Sequence, residues 1–171
     1  LIISGNTNPR PIVRPTVGFV FSHPAPFIAF GFGVGLSPAA PGTIGTLLAF
    51  PIYAWLYPRI GDTAFAALLP LLFLLGVWAC QRTGRMLGVH DHGGMVWDET
   101  VAFLAILYFL PGALLWQAFA FLLFRFFDIV KPAPIKRIDR NVRNGLGVMF
   151  DDLMAAFYTL LCLAGWKLLF G

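Results

Sequence analysis

The sequence predicts an all-α, polytopic membrane bundle of about four to five membrane helices whose first segment is re-entrant or irregular. Three observations predict it. The 171 residues are 58% hydrophobic and 12% charged, with a mean hydropathy of +0.79, whereas a soluble domain carries roughly 25% charged residues. Uncharged runs of helix length recur along the chain, and its few charges gather between those runs. Pro and Gly break the apolar stretches where a continuous helix would be costly.

The elements follow in order. Residues 1–26 are polar and Pro-rich, with Arg10 and Arg14 but no apolar run ending in small residues. They read as an irregular tail rather than a signal peptide. Residues 27–171 form a single integral membrane domain. From Phe27 to Pro58 no residue is charged, yet glycines and prolines interrupt the run. The expectation is a short apolar entry segment, an irregular loop over 35–43 and a helix over about 43–57. Such a loop survives at membrane depth only when buried in protein or lining a wet cavity, which makes it a site candidate. Residues 63–81 are the cleanest spanning candidate. Thr100 to Phe124 is also uncharged, but Pro111 and Gly112 split it, so helices over 95–110 and 114–130 meet in a hairpin. A last helix covers about 150–169.

If these helices alternate, Arg10, Arg14, Arg82, Arg85, Arg125, Lys131, Lys136, Arg137, Arg140 and Arg143 share one side, with Arg59 and Lys167 opposite. The excess of basic residues makes the shared side cytoplasmic. A net charge of +4 in so apolar a chain, 16% aromatic, fits a bilayer with anionic lipid; nucleic acid is not an expected partner. Cys80 and Cys162 show neither C-x-x-C nor zinc-ligand spacing, so no disulfide framework or structural zinc is expected.

Of the eight acids, all but Asp62 fall on the basic side. Asp98 and Glu99 open the third helix, Asp128 lies near the end of the fourth, and Asp151 and Asp152 open the fifth. Antiparallel neighbours bring these three levels together. Carboxylates at the margin of the hydrocarbon are costly unless paired or metal-bound, and so mark function. Successive residues on a helix differ by about 100° in direction, so one acid of each doublet can point inward while the other caps or pairs. Such oxygen ligands suit Mg²⁺ shared with a substrate phosphate; ion pairing with neighbouring arginines is the alternative. Arg125, Asp128 and Lys131 lie along one broad helix face, where a cation beside a metal-binding acid suits a phosphoryl oxygen and an i, i+3 salt bridge is the alternative. The turn from Asp139 to Gly145 places Arg140 within reach of the same phosphate. The loop ending at Gly42 and Thr43 offers backbone N–H groups to an anion at a helix start. His90 and His92 could ligate a transition metal or sit in a capped loop, with Asp91 between them as a helper.

Spacing excludes several chemistries. Cys80 precedes Arg85 by too few residues for a cysteine phosphatase loop, Asp151 and Asp152 lack the spacer of an aspartyl-phosphate motif, and no G-x-S-x-G is present. Metal-assisted chemistry without a covalent nucleophile remains. An ion transporter is the rival, but its acids would mark a path across rather than cluster on one side.

Five motifs then stand together: G-L-S-P-A-A-P-G-T from Gly35, H-D-H-G-G-M-V-W-D-E from His90, F-R-F-F-D-I-V-K-P from Phe124 with Pro134 and Ile135, D-R-N from Asp139, and G-V-M-F-D-D-L from Gly147. In order and spacing, over about 27–165, they resemble the bacterial phosphatidylglycerophosphatase A family. The resemblance implies a Mg²⁺-dependent inner-membrane enzyme that converts phosphatidylglycerophosphate to phosphatidylglycerol, with an all-helical fold. Carried over by position, it implies a site of Asp98, Glu99, Asp128, Lys131, Asp151 and Asp152. The expected roles are Glu99, Asp128 and Asp152 as metal ligands, with Asp91, Asp98, Lys131 and Asp151 in catalysis. Ser37, Gly42, Thr43, Arg125, Lys131 and Arg140 are expected on the phosphate.

Overall fold

The computed structural model describes residues 15–110, 112, 114–133 and 142–170. Among these, all regular structure is helical: α1 (Val17–Val20), α2 (Pro24–Ala29), a 3-10 helix (Gly31–Leu36), α3 (Pro41–Leu87), α4 (Trp97–Phe109), α5 (Leu114–Val130) and α6 (Gly145–Phe170). Two of them, Pro41–Leu87 and Gly145–Leu169, are long and apolar enough to cross a membrane.

α3 folds back on itself. Its backbone breaks at Gly61, with φ 78° and ψ 175°, a conformation open to glycine because it has no Cβ to clash. Tyr53 and Phe65 would lie about 18 Å apart along a straight helix, yet their ring centroids are 5.4 Å apart. The first arm therefore runs from Pro41 to the tip, and the second returns to Leu87.

The remaining helices alternate beside these arms. Thr100 at the start of α4 donates its hydroxyl to the Gly45 carbonyl at 2.8 Å, near the start of the first arm. At the other end of α4, the Tyr108 hydroxyl reaches Asp62 Oδ2 at the hairpin tip, at 3.4 Å. α5 runs back, bringing Arg125 to Thr46 at 3.4 Å, and α6 leaves again, so that Trp166 meets Phe119 at the far end with centroids 6.5 Å apart. Five antiparallel segments result, the alternation that the assignment of charges to sides assumes.

Close approach on the second arm depends on a small residue. A Cβ on Gly76 would stand 2.4 Å from the Met149 sulfur and 2.8 Å from the Trp97 ring, so α4 and α6 can both pack there only over a bare backbone. Phe65, Phe103, Phe124 and Ala155 fill the core between the arms, α4, α5 and α6. Phe30, Cys80, Trp97 and Met149 fill a second cluster toward the other end. The outer face is apolar as well: Leu71, Leu115, Leu122 and Ile129 are all exposed.

Element boundaries differ from expectation in three places. The second arm continues past 81 to Leu87 because Arg82 and Arg85 are exposed and interrupt nothing in the packing. α6 starts at Gly145 rather than 150, with Asn144 Oδ1 accepting from the N–H groups of Leu146 and Gly147 at 3.0 Å each, a side-chain cap the apolar pattern does not reveal. Within the expected irregular tail, residues 17–20 and 24–26 are helical. Thr16 and His23 side chains cap these two short helices, and Pro24 occupies the first helical position, where its missing N–H costs nothing.

Candidate active site

One end of the bundle gathers the acids. A carboxylate oxygen from each of Asp98, Glu99 and Asp152 lies within 4.8 Å of the others. Asp98, Asp151 and Asp152 are buried. Three carboxylates this close destabilise one another unless a cation lies among them. Glu99 Oε2 is buried with no hydrogen-bond partner, which an unmet ligand oxygen would explain. The donors are all carboxylate oxygens, so this set suits a hard divalent cation such as Mg²⁺.

Local backbone sets the direction of each doublet. Asp98 Oδ1 accepts from the Glu99 N–H and Asp151 Oδ1 from the Asp152 N–H, each at 3.0 Å. The first acid of each pair thus braces the second, at the start of α4 for Asp98 and Glu99 but inside α6 for Asp151 and Asp152, which do not open their helix as expected because it already begins at Gly145. Asp98 still keeps an oxygen in the cluster, whereas Asp151 forms an ion pair with Lys131.

Arg125 ties the acids to the first arm of α3. Its Nη1 lies 2.6 Å from Asp128 Oδ2 and 3.3 Å from Glu99 Oε1, and it also reaches Thr46 Oγ1. Asp128 in turn lies against Asp152. Gly42 makes this seat possible: a Cβ there would come within 2.0 Å of Glu99 Oε1 and 3.1 Å of both terminal nitrogens of Arg125. Pro41 occupies the first helical position after a left-handed Ala40 with no side-chain cap, which leaves the Gly42 and Thr43 N–H groups without intrahelical acceptors.

Asp98, Glu99, Arg125, Asp128, Lys131, Asp151, Asp152 and Gly42 therefore come together at one end. Thr43 sits half-buried beside Gly42. Asp91 is exposed at the rim, near enough to Asp98 for their charges to interact. Ser37 turns inward on its own loop, donating to the Ala39 carbonyl at 2.9 Å. Arg140 lies outside the described residues. His92 Nδ1 accepts from the Gly94 N–H at 3.0 Å, the capped-loop arrangement rather than a transition-metal pair.

Sequence reasoning missed two buried threonines. Thr46 donates to the Gly42 carbonyl at 2.9 Å and accepts from Arg125; its spacing of four from Gly42 is the signal that could have found it, since i and i+4 share a helix face. Thr83, fully buried with an unpartnered hydroxyl, has no such cue.

Gathered acid oxygens, fixed cations and an uncapped helix start are what an all-helical phosphatase needs of a site. The chain belongs to the phosphatidylglycerophosphatase A family, whose sequence model matches residues 27–167. It is 45% identical over 141 residues to the phosphatidylglycerophosphatase A of Haemophilus influenzae, covering 81% of this chain and 86% of that one. The Escherichia coli K12 protein of the same name is 42% identical over 135 residues, 78% of each. A Bacteroides thetaiotaomicron protein, provisionally named a phosphatidylinositol-3-phosphatase, is 40% identical over 80% of this chain and 89% of its own. No solved structure matches the chain.

Proposed function

We propose that this protein hydrolyses the terminal phosphomonoester of phosphatidylglycerophosphate, giving phosphatidylglycerol and inorganic phosphate, with Mg²⁺ as cofactor, at the cytoplasmic face of a bacterial inner membrane. The cluster of Asp98, Glu99 and Asp152 beside the Arg125–Asp128 pair is the observation that carries the reading. Family membership and the names of the relatives from Haemophilus influenzae and Escherichia coli support the substrate. The apolar outer face and the gathering of Arg82, Arg85, Arg125, Lys131 and Arg143 at the acid end support a multi-pass protein with that end inside.

Asp98, Glu99 and Asp152 would hold the ion, with Asp128 beside them. When bound, Mg²⁺ supplies charge neutralisation and an acidified water. Arg125 keeps Glu99 and Asp128 in fixed directions, so the oxygens need no reorganisation when substrate arrives. Lys131, at the rim and paired with Asp151, exchanges that partner for a phosphate oxygen, while the Gly42 and Thr43 N–H groups take another. A water oxygen bonds to phosphorus as the bond to the glycerol oxygen breaks. Asp91 at the solvent edge takes the proton that the attacking water loses and passes it to the departing alkoxide, which leaves as the phosphatidylglycerol hydroxyl.

Phosphate release in mixed micelles tests this, with Mg²⁺ and with chelator. The expected result is release from phosphatidylglycerophosphate that stops on chelation. Faster release from phosphatidylinositol 3-phosphate would transfer the substrate assignment to the class named for the Bacteroides relative, and release indifferent to chelator would remove the cofactor.

A further inference from the structure

A second basic site lies one step away from the acids. A pocket of about 190 Å³ opens between the end of the second α3 arm, the loop after it and the start of α6, lined by Gln81, Gly84, Arg85, His90, Arg143 and Asn144. A water takes about 30 Å³ in the liquid, so the space admits a phosphate group with some hydration. Its walls are fixed. Gln81 Oε1 accepts from the Gly145 N–H at 2.7 Å, which joins α3 to α6, and a Cβ on Gly84 would be 2.6 Å from the Val89 carbonyl, so the following loop lies directly over the helix. Arg85 and Arg143 both face this space, and among the described residues neither is paired with a carboxylate. That contrasts with Arg125, whose guanidinium is committed to Glu99 and Asp128.

We infer that the Arg85–Arg143 pocket binds the phosphate of a lipid phosphodiester, the substrate's own non-reacting phosphate when phosphatidylglycerophosphate is bound. The identity of that phosphate rests on the function proposed above. Gly145, bonded to Gln81 at the pocket's edge, precedes Asp151 by six residues, about 9 Å along α6. Two phosphates joined by a three-carbon glycerol bridge, met by the reach of the arginine side chains, span that kind of separation, so one phosphate can lie at the acids while the other reaches the arginines. Two guanidiniums with open donors are suited to an oxyanion in a fixed orientation. The pocket thereby distinguishes a lipid with a diester and a terminal monoester from one with a monoester alone.

Binding measured by calorimetry in nonionic detergent with chelator, where no turnover intervenes, tests this. The probes are the deacylated headgroup glycerophosphoglycerol phosphate, which carries diester and monoester, and glycerol 3-phosphate, which carries the monoester alone. Wild-type protein should bind the first at least about ten-fold tighter, the effect of one charge-assisted contact. In the Arg85→Gln, Arg143→Gln double variant that preference should vanish while glycerol 3-phosphate affinity holds; Arg143→Lys, which keeps the charge, should retain part of it. An undiminished preference in the double variant with unchanged binding to phosphatidylglycerol micelles, or equal loss for both probes, overturns the inference. If the double variant keeps the headgroup preference but no longer binds micelles of phosphatidylglycerol, the phosphate comes from a neighbouring lipid and the substrate assignment falls. Wild-type turnover of phosphatidylglycerophosphate, run alongside, tests the proposed function separately: headgroup preference without turnover overturns the hydrolase reading and leaves the pocket standing.

Discussion

The two ends of the bundle treat carboxylates in opposite ways. At one end Asp98, Asp151 and Asp152 are buried, and the cations beside them are engaged with acids. At the other, Asp62 is exposed at the hairpin tip, where among the described residues the hydroxyls of Tyr57 and Tyr108 reach it, each at 3.4 Å. Arg59, three residues away, ignores Asp62 and stacks on Trp55 with its guanidinium carbon 4.4 Å from the ring centroid. Stacked and edge-on rings of Tyr53, Tyr57 and Phe65 surround the tip. Burial of a charge is costly unless its surroundings repay it. Only the acid end accepts that cost, and it does so several times within a few ångströms, which is what a site that must hold a cation requires and what a merely solvated surface does not.

The contrast can be broken most sharply at Asp152. Asp152→Asn keeps shape and removes one charge from the cluster, and should lower turnover by at least about a hundred-fold while raising the Mg²⁺ concentration needed for half-activity. Near-normal kinetics at ordinary Mg²⁺ would mean that the buried acids are a packing device. A smaller effect is expected at Gly42→Ala, whose new methyl group pushes Glu99 and Arg125 aside: activity should fall by about ten- to hundred-fold, the range for residues that orient a metal's ligands, with little change in helix content by circular dichroism. Unaltered kinetics there would show that the Arg125 seat tolerates displacement. The smallest effect belongs to the other end. Asp62→Asn should leave turnover within about two-fold and change stability by no more than about 0.5 kcal/mol, read from thermal unfolding in detergent; a large loss of activity would erase the distinction between the two ends.

Much of this asymmetry is legible in the amino-acid sequence. Uncharged runs separated by Pro-Gly breaks mark the five antiparallel segments, and the segregation of acids with bases marks the end where the acids gather. What the pattern does not supply is direction. A doublet such as Asp98 and Glu99 offers two side chains about 100° apart, and the expectation of one inward and one capping acid is too simple: Asp98 braces the Glu99 N–H with one oxygen and joins the cluster with its carboxylate as well. The role of Gly42 is also hidden. Its N–H is readable as an anion donor from helix-start chemistry, but the space left by its missing side chain matters only because Arg125, 83 positions later in the sequence, lies in it. Such contacts depend on tertiary packing, which composition and periodicity do not encode.

The reversal at Gly61 bears on how the chain gets into a bilayer. For the multi-pass protein proposed above, the hairpin tip is the portion that would be carried through the apolar layer, and charge is what resists that passage. Between Pro41 and Gln81 the only charged side chains are Arg59 and Asp62, three residues apart and of opposite sign, so the translocated piece is neutral. In the orientation proposed above, Arg82 and Arg85, placed after the second arm has returned, would stay behind with the rest of the positive charge and act as a stop, fixing which way round the chain faces before its acids have been brought together.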